Sequence, residues 1–339
     1  MAKIINYAES VVNKLVKWII TQKPFSTRIK FFKIGCLPLP PQNISHNMPG
    51  QLKEVRARIS SVTSTQQITK AMKMVSAAKL RRAQDRITQM RPYSKKLSEM
   101  LQNIVSGESN VEIKLAQPRA EEKILIVVMT SDRGLCGGFN STIIKTAKNT
   151  IIEKYNSQLQ KGNVELLCVG KKSLDAFKKT NKVNADFVNL GAKINFEETA
   201  KAAEKIMNDY VAGAYDKVEI VYSQFKNAAT QIYQSEQFLP VAKTNNNSNS
   251  TKNSEFIFQP SKAELINELV PKILKTQFYK CLADTIASEH GARMTAMDKA
   301  TDNANELLKD LKLKYNRARQ AAITTELTEI VSGAAALQG

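Results

Sequence analysis

The chain has 339 residues, enough for one or two domains with their own cores, and its share of hydrophobic residues is ordinary for a folded protein. Its charge is not ordinary: 50 basic against 31 acidic residues give +19, which calls for an acidic counterpart such as nucleic acid, an anionic membrane or an acidic protein surface. Cys36, Cys136, Cys168 and Cys281 are scattered, with neither a paired spacing nor histidines beside them, so neither a disulfide framework nor a zinc site is indicated. No run of eighteen apolar residues exists to span a bilayer.

In chain order, residues 1–47 read as a targeting segment. Ile4, Ala8, Val11, Leu15 and Ile19 share a helical face broken by Lys3, Lys14 and Lys17, further bases follow, and Glu9 is the only acid. A basic amphipathic leader of this kind predicts organelle import, most often mitochondrial; a helix lying on a membrane surface is the alternative. Pro38, Pro40 and Pro41 then mark a linker.

Residues 48–110 predict a long helix. Leu52, Val55, Ile59 and Val62 form a stripe that Ile68, Met72 and Val75 continue with a shifted phase, and Leu97, Leu101 and Ile104 extend it past Pro92, where a bend is expected. Residues 120–258 change period. Lys123 to Thr130, Glu165 to Val169 and Val218 to Tyr222 are short runs rich in Val, Ile and Leu suited to buried strands, separated by amphipathic helices at Ser141 to Tyr155 and Asn195 to Val211. That alternation predicts a small α/β sheet. Lys243 to Ser254 is a polar, Asn-rich loop.

Residues 261–339 predict the longest element, a helix from about Pro271 to Leu337. Met297, Thr301, Ala304, Leu308, Leu311, Tyr315, Ala318 and Ala322 keep a 4,3 spacing, which resumes one step later at Ile323, Leu327, Ile330, Ala334 and Leu337. This is a coiled-coil seam with one phase slip. Two long striped helices at opposite ends of the chain most economically pair as an antiparallel rod.

Sites for bond chemistry are scarce. Asp132 to Gly138 is a glycine-rich turn between a strand and a helix, but it lacks the GxGxxG spacing of a dinucleotide site and reads as a tight turn needing positive φ. Gly170-Lys171-Lys172-Ser173 ends like a phosphate loop, yet position 165 is Glu and Lys172 displaces the hydroxyl residue. The two histidines, His46 and His290, accompany no nucleophile motif. Met72, Met74, Met294 and Met297 read as seam filler. Composition therefore leaves two classes open, a basic coiled coil that binds nucleic acid and a mechanical or scaffolding rod. Lys70, Lys73, Lys79, Arg81 and Arg82 lie among Ala and Met without interleaved aromatics, which is a poor pattern for nucleic-acid recognition.

Gln67 to Val75, Ser131 to Gly138, Ala292 to Met297 and Ile323 to Ala336, in this order and spacing along the chain, resemble the signature segments of the gamma subunit of F-type ATP synthases, over about Gln51 to Leu337. The resemblance implies an antiparallel coiled coil of the terminal helices plus a central Rossmann-like α/β domain. It implies a central-stalk rotor, without cofactor or catalytic site, that turns inside a head of alpha and beta subunits. Its other implied partners are small central-stalk subunits and the membrane rotor ring, with no nucleic acid. With the leader, it implies a peripheral place on the matrix side of the mitochondrial inner membrane. Residue by residue, Arg319, Gln320, Thr324 and Glu326 resemble the family's catch contacts to a beta-subunit loop, and Met72, Lys73 and Arg293 its contact near an acidic region of beta.

Overall fold

The computed structural model describes residues 48–106, 115–117, 119–192, 194–241 and 262–338, so the expected leader, the linker and the Asn-rich loop lie outside the described residues. Helix α1 spans Met48–Ser106 and runs through Pro92 without a break. The central segment follows as β1 (Ile124–Met129), α2 (Phe139–Gln160), β2 (Val164–Val169), α3 (Lys171–Phe177), β3 (Lys182–Asn184), a 3₁₀ turn at Val188–Gly191, α4 (Phe196–Val211), β4 (Lys217–Phe225) and β5 (Gln231–Leu239). Helix α5, Lys262–Gln338, closes the chain with 77 residues. It begins before Pro271 rather than at it, because one missing N–H is tolerated where tertiary packing supplies the stability.

The sheet has the order β3-β2-β1-β4-β5, parallel except for the antiparallel edge strand β5. β1 is buried at every position, as expected of a parallel strand covered on both faces. The sequence reading finds the three strands with continuous apolar runs and misses two. β3 is only three residues long, and β5 (QIYQSEQFL) carries polar side chains that other side chains satisfy. Gln277 Nε2 and Tyr222 Oη each donate to Glu236 at 2.7 Å, tying β5 to α5 and β4.

Two helical layers sandwich the sheet. Ile124, Ile126 and Val128 join Phe139, Ile143, Ala147 and Ile151 of α2 on one face. Leu125, Val127 and Met129 join α4 and the stretch Val270 to Ile286 of α5 on the other. Glu219 of β4, 2 % exposed, accepts hydrogen bonds from Tyr155 Oη (2.5 Å), Ser235 Oγ (2.5 Å) and Lys154 Nζ (3.1 Å). Burial opposes its charge, but those three donors outweigh burial and hold the carboxyl below its ordinary range.

Helices α1 and α5 pair antiparallel, as expected. Thr69 Oγ1 meets Thr301 Oγ1 at 2.9 Å, Lys73 pairs with Asp298, and Gln66 with Asn305, so facing residue numbers add to 370 or 371. The α1 stripe differs from expectation at Val75, which is 55 % exposed, while Ser76, Leu80, Ala83 and Ile87 carry the buried line. Small Ala283 and Ala287 sit opposite that line, so helix spacing rather than side-chain hydrophobicity fixes which residues face inward.

Gly170 opens α3 with φ +101, and a Cβ there would lie 2.3 Å from the carbonyl oxygen of Thr130. Gly170→Ala is expected to destabilise the chain by more than about 2 kcal/mol, because it adds a left-handed backbone penalty to a backbone clash. An unchanged urea midpoint would show that the turn can relax.

Candidate functional site

The residues singled out from sequence fall into two groups along the rod, one on α5 alone and one shared by α1 and α5. Arg319, Gln320, Thr324 and Glu326 lie near its C-terminal end and are exposed. Thr324 Oγ1 donates to its own helix at the Gln320 carbonyl (2.9 Å), as a threonine in a helix commonly does. Among the described residues, Arg319 and Glu326 have no ion-pair partner within the chain.

The register explains this exposure. Extended along the rod, it places Met48, the start of α1, opposite about residue 322 of α5. Up to that point the expected seam is covered: Met297, Ala304, Leu308 and Leu311 are buried and Tyr315, Ala318 and Ala322 half-buried. Beyond it, Ile323, Leu327, Ile330, Val331 and Leu337 are 49, 57, 67, 67 and 90 % exposed. The phase slip read from the sequence therefore coincides with the end of cover by α1. The remaining sixteen residues to Gln338 extend roughly 24 Å at the α-helical rise. Each large apolar side chain there would gain about 1.5–3 kcal/mol on burial.

The second group sits midway along the rod, and the chain itself engages it. Lys73 forms an ion pair with Asp298 across the helices, with both side chains near half exposure, a contact worth about 0–1 kcal/mol. Met72 is half-buried in the seam beside it. Arg293 is better enclosed: Nη1 donates to Glu289 Oε1 at 2.7 Å, and Nη2 donates to the carbonyls of Arg133 and Gly134 at 3.3 Å each. Its guanidinium thus clasps the glycine-rich turn against α5. Burial raises the Glu289 carboxyl, and Arg293 opposes that shift. Lys73 and Arg293, expected as contacts to another subunit, also have partners inside this chain. The i, i+4 spacing of Glu289 and Arg293 was a legible signal for one of these pairs. The Lys73–Asp298 pair depends on the register, which no local pattern gives.

The glycine-rich turn is the tight strand-to-helix connection expected, with Leu135 at φ 63 and Gly137 at φ 60. Asn140 fastens it, its side-chain oxygen accepting from the Ser131 amide at 3.0 Å and its Nδ2 donating to Cys136 Sγ at 3.2 Å. The amides that open α3 are occupied as well. Those of Lys171, Lys172 and Ser173 donate to Asp132 Oδ1, the Ser131 carbonyl and Thr130 Oγ1 at 3.2, 3.3 and 2.9 Å, so these donors are taken within the chain.

A family model described as ATP synthase matches residues 51–337. A protein named ATP synthase gamma chain from Cytophaga hutchinsonii is 54% identical over 290 residues, 84% of this chain and 98% of the relative. A protein of the same name from Flavobacterium johnsoniae is 52% identical over 289 residues, 85% of this chain and 99% of the relative. The chain belongs to the ATP synthase gamma-chain family. A chain of the Euglena gracilis mitochondrial ATP synthase shares the fold, with a TM-score of 0.59 at 20% identity over 85% of this chain and 95% of that one. The family segments Ser131 to Gly138 and Ala292 to Met297, far apart in sequence, meet in this fold where Arg293 crosses from α5 to the turn.

Arg293→Ala is expected to cost about 1.5–3 kcal/mol, the range for hydrogen bonds to a charged group, and to raise hydrogen exchange at residues 131–138. Arg319→Ala, at an exposed position, is expected to change stability by less than about 0.5 kcal/mol. Equal effects of the two would contradict the contrast drawn between them.

Proposed function

We propose that this gamma-chain family member is the central-stalk rotor of an F-type ATP synthase. In this reading it carries torque from the membrane rotor ring to the alpha and beta subunits of the catalytic head, and supplies no catalytic group or cofactor site. The observation that carries the proposal is the end of α5. There α5 outruns α1 and, among the described residues, shows solvent an apolar stripe beside Arg319, Gln320, Thr324 and Glu326. A stripe of this size in water is a contact surface awaiting a partner. In a ring of head subunits the apolar residues and the small Gly333 to Ala336 segment provide a bearing. The four polar groups provide a catch, with the Arg319 fork suited to a bidentate carboxylate. Lys73 and Arg293 act from within, holding the rod and the turn in place, and Met72 contributes to the seam between them. The net positive charge finds its counterpart in acidic faces of the head rather than in nucleic acid.

In the same proposal the leader and linker precede a rod that begins at about residue 48, the central α/β domain forms the base beside the small stalk subunits, and the subunit lies peripheral to the membrane. No described helix is long and apolar enough to cross one. The basic amphipathic composition of residues 1–47 supports import and a place on the matrix side of the mitochondrial inner membrane. The match of the family model, residues 51–337, leaves that segment outside the shared region. A second reading, the inner face of a bacterial membrane, is favoured by the bacterial source of the relatives described above. Mass spectrometry of the N-terminus decides between them: cleavage within residues 37–48 supports import, and an intact leader supports the bacterial location.

The catch is tested in the assembled complex. Arg319→Ala is expected to lower coupled ATP synthesis about tenfold, as loss of one charged interface contact does, while assembly remains normal. Unimpaired synthesis would remove Arg319 from the catch.

A further inference from the structure

For two turns, from Cys281 to Ser288, every residue of α5 is buried. A helix enclosed on all sides is normally apolar all round. This one is not, because Asp284, Thr285 and Ser288 fall within it, 2, 1 and 0 % exposed. Thr285 Oγ1 satisfies itself on the Cys281 carbonyl (2.8 Å), and Ser288 Oγ donates to the Ser223 carbonyl at the end of β4 (3.2 Å). Asp284 differs, since its Oδ1 is buried without a hydrogen-bond partner.

The position of this carboxylate gives it mechanical meaning. On one side Leu282 and Ile286 belong to the core beneath the sheet; on the other, Ala283 and Ala287 pack with Leu80, Ala83 and Ile87 of α1 and Phe225 of β4. Asp284 thus sits where the rod joins the globular domain. The same joint is fastened by Arg91 Nη2 donating to the Phe225 carbonyl at 3.0 Å and by Gly291, where a Cβ would come within 3.1 Å of the Ala228 carbonyl oxygen. The charged and titratable groups acting on Asp284 are Lys280 and Cys281 of α5, Arg91 of α1 and Glu236 of β5. Arg91 is exposed and already engages Phe225, and Glu236 repels, so the cations only partly offset burial.

We infer that Asp284 is a proton-sensitive lock of the joint between rod and globular domain, closed when its carboxyl is neutral and loosened when it is ionised. Burial, the largest cause, pushes the carboxyl up to about 6 from an ordinary 3.8, with Lys280 and Arg91 opposing and Glu236 reinforcing the shift. Between these two values the folded joint holds a proton that the opened joint releases. The joint is therefore tightest at the acid end, and opening becomes easier as pH rises through that window.

The measurement is hydrogen exchange of the full-length chain, in the complex it assembles into, at pH 5 and pH 7.5 after correction for intrinsic rates. Amides of residues 80–92, 225–230 and 280–292 are expected to open about tenfold more readily at the higher pH, as a carboxyl shifted by about two units requires. Asp284→Asn is expected to abolish the difference. If that variant does not assemble, Asp284→Ala is held to the same expectation. Glu236→Gln is expected to retain a rise, with its midpoint moved to lower pH. A wild-type joint with no pH dependence would overturn the inference, and so would a rise that survives removal of the Asp284 carboxyl.

Discussion

The register between α1 and α5 is the constraint on which the rest of the structure depends. It is fixed over a few turns by small and polar residues, Thr69 against Thr301, Gln66 against Asn305, and Ala83 and Ile87 beside Ala283 and Ala287. None of these contacts is strong in isolation, and a helix pair sliding by one turn would keep most of its apolar contact. The added polar matches and the close approach of alanines select one alignment. Once it is selected, the length of α5 left without cover follows, and with it the exposed apolar stripe and the four polar groups proposed as a catch.

The globular domain contributes the second constraint. Its sheet is covered by α2 and α3 on one face and by α4 with α5 on the other, so α5 serves two cores in succession. The fully enclosed turns at Cys281 to Ser288 are where it changes from one to the other. Arg293 then reaches from the next turns of α5 to the carbonyls of the glycine-rich loop, and Gly291 lets Ala228 approach the helix backbone. In the rotor proposed above, torque on the rod reaches the globular domain through this short length of helix. That is the mechanical reason for its dense polar fastening, and why the charge state of Asp284 matters there.

Two proposed contacts change meaning in three dimensions. Lys73 and Arg293 lie in segments that resemble the family's, and that resemblance implies contacts near an acidic region of beta. In the structure Lys73 meets Asp298 across the rod, and Arg293 meets Glu289 on its own helix and two carbonyls of the turn. Arg319 and Glu326 keep no ion-pair partner in the described chain, so the two groups differ in what they meet within it. Position relative to the end of α1 is the difference.

The sequence by itself determined the two long helices, through stripes repeated over many turns, and the three inner strands, through apolar runs that only a sheet covered on both faces can bury. It also carried the family segments and the phase slip near Ala322. It could not show β5, whose polar residues are paid for by partners on β4 and α5, nor place Ser76 rather than Val75 in the seam. Enclosure of Asp284, the ion pair of Lys73 and the uncovered length of α5 were decided only by the tertiary structure. Each depends on which residues, hundreds of positions apart, come to face one another, and local periodicity carries no information about that choice.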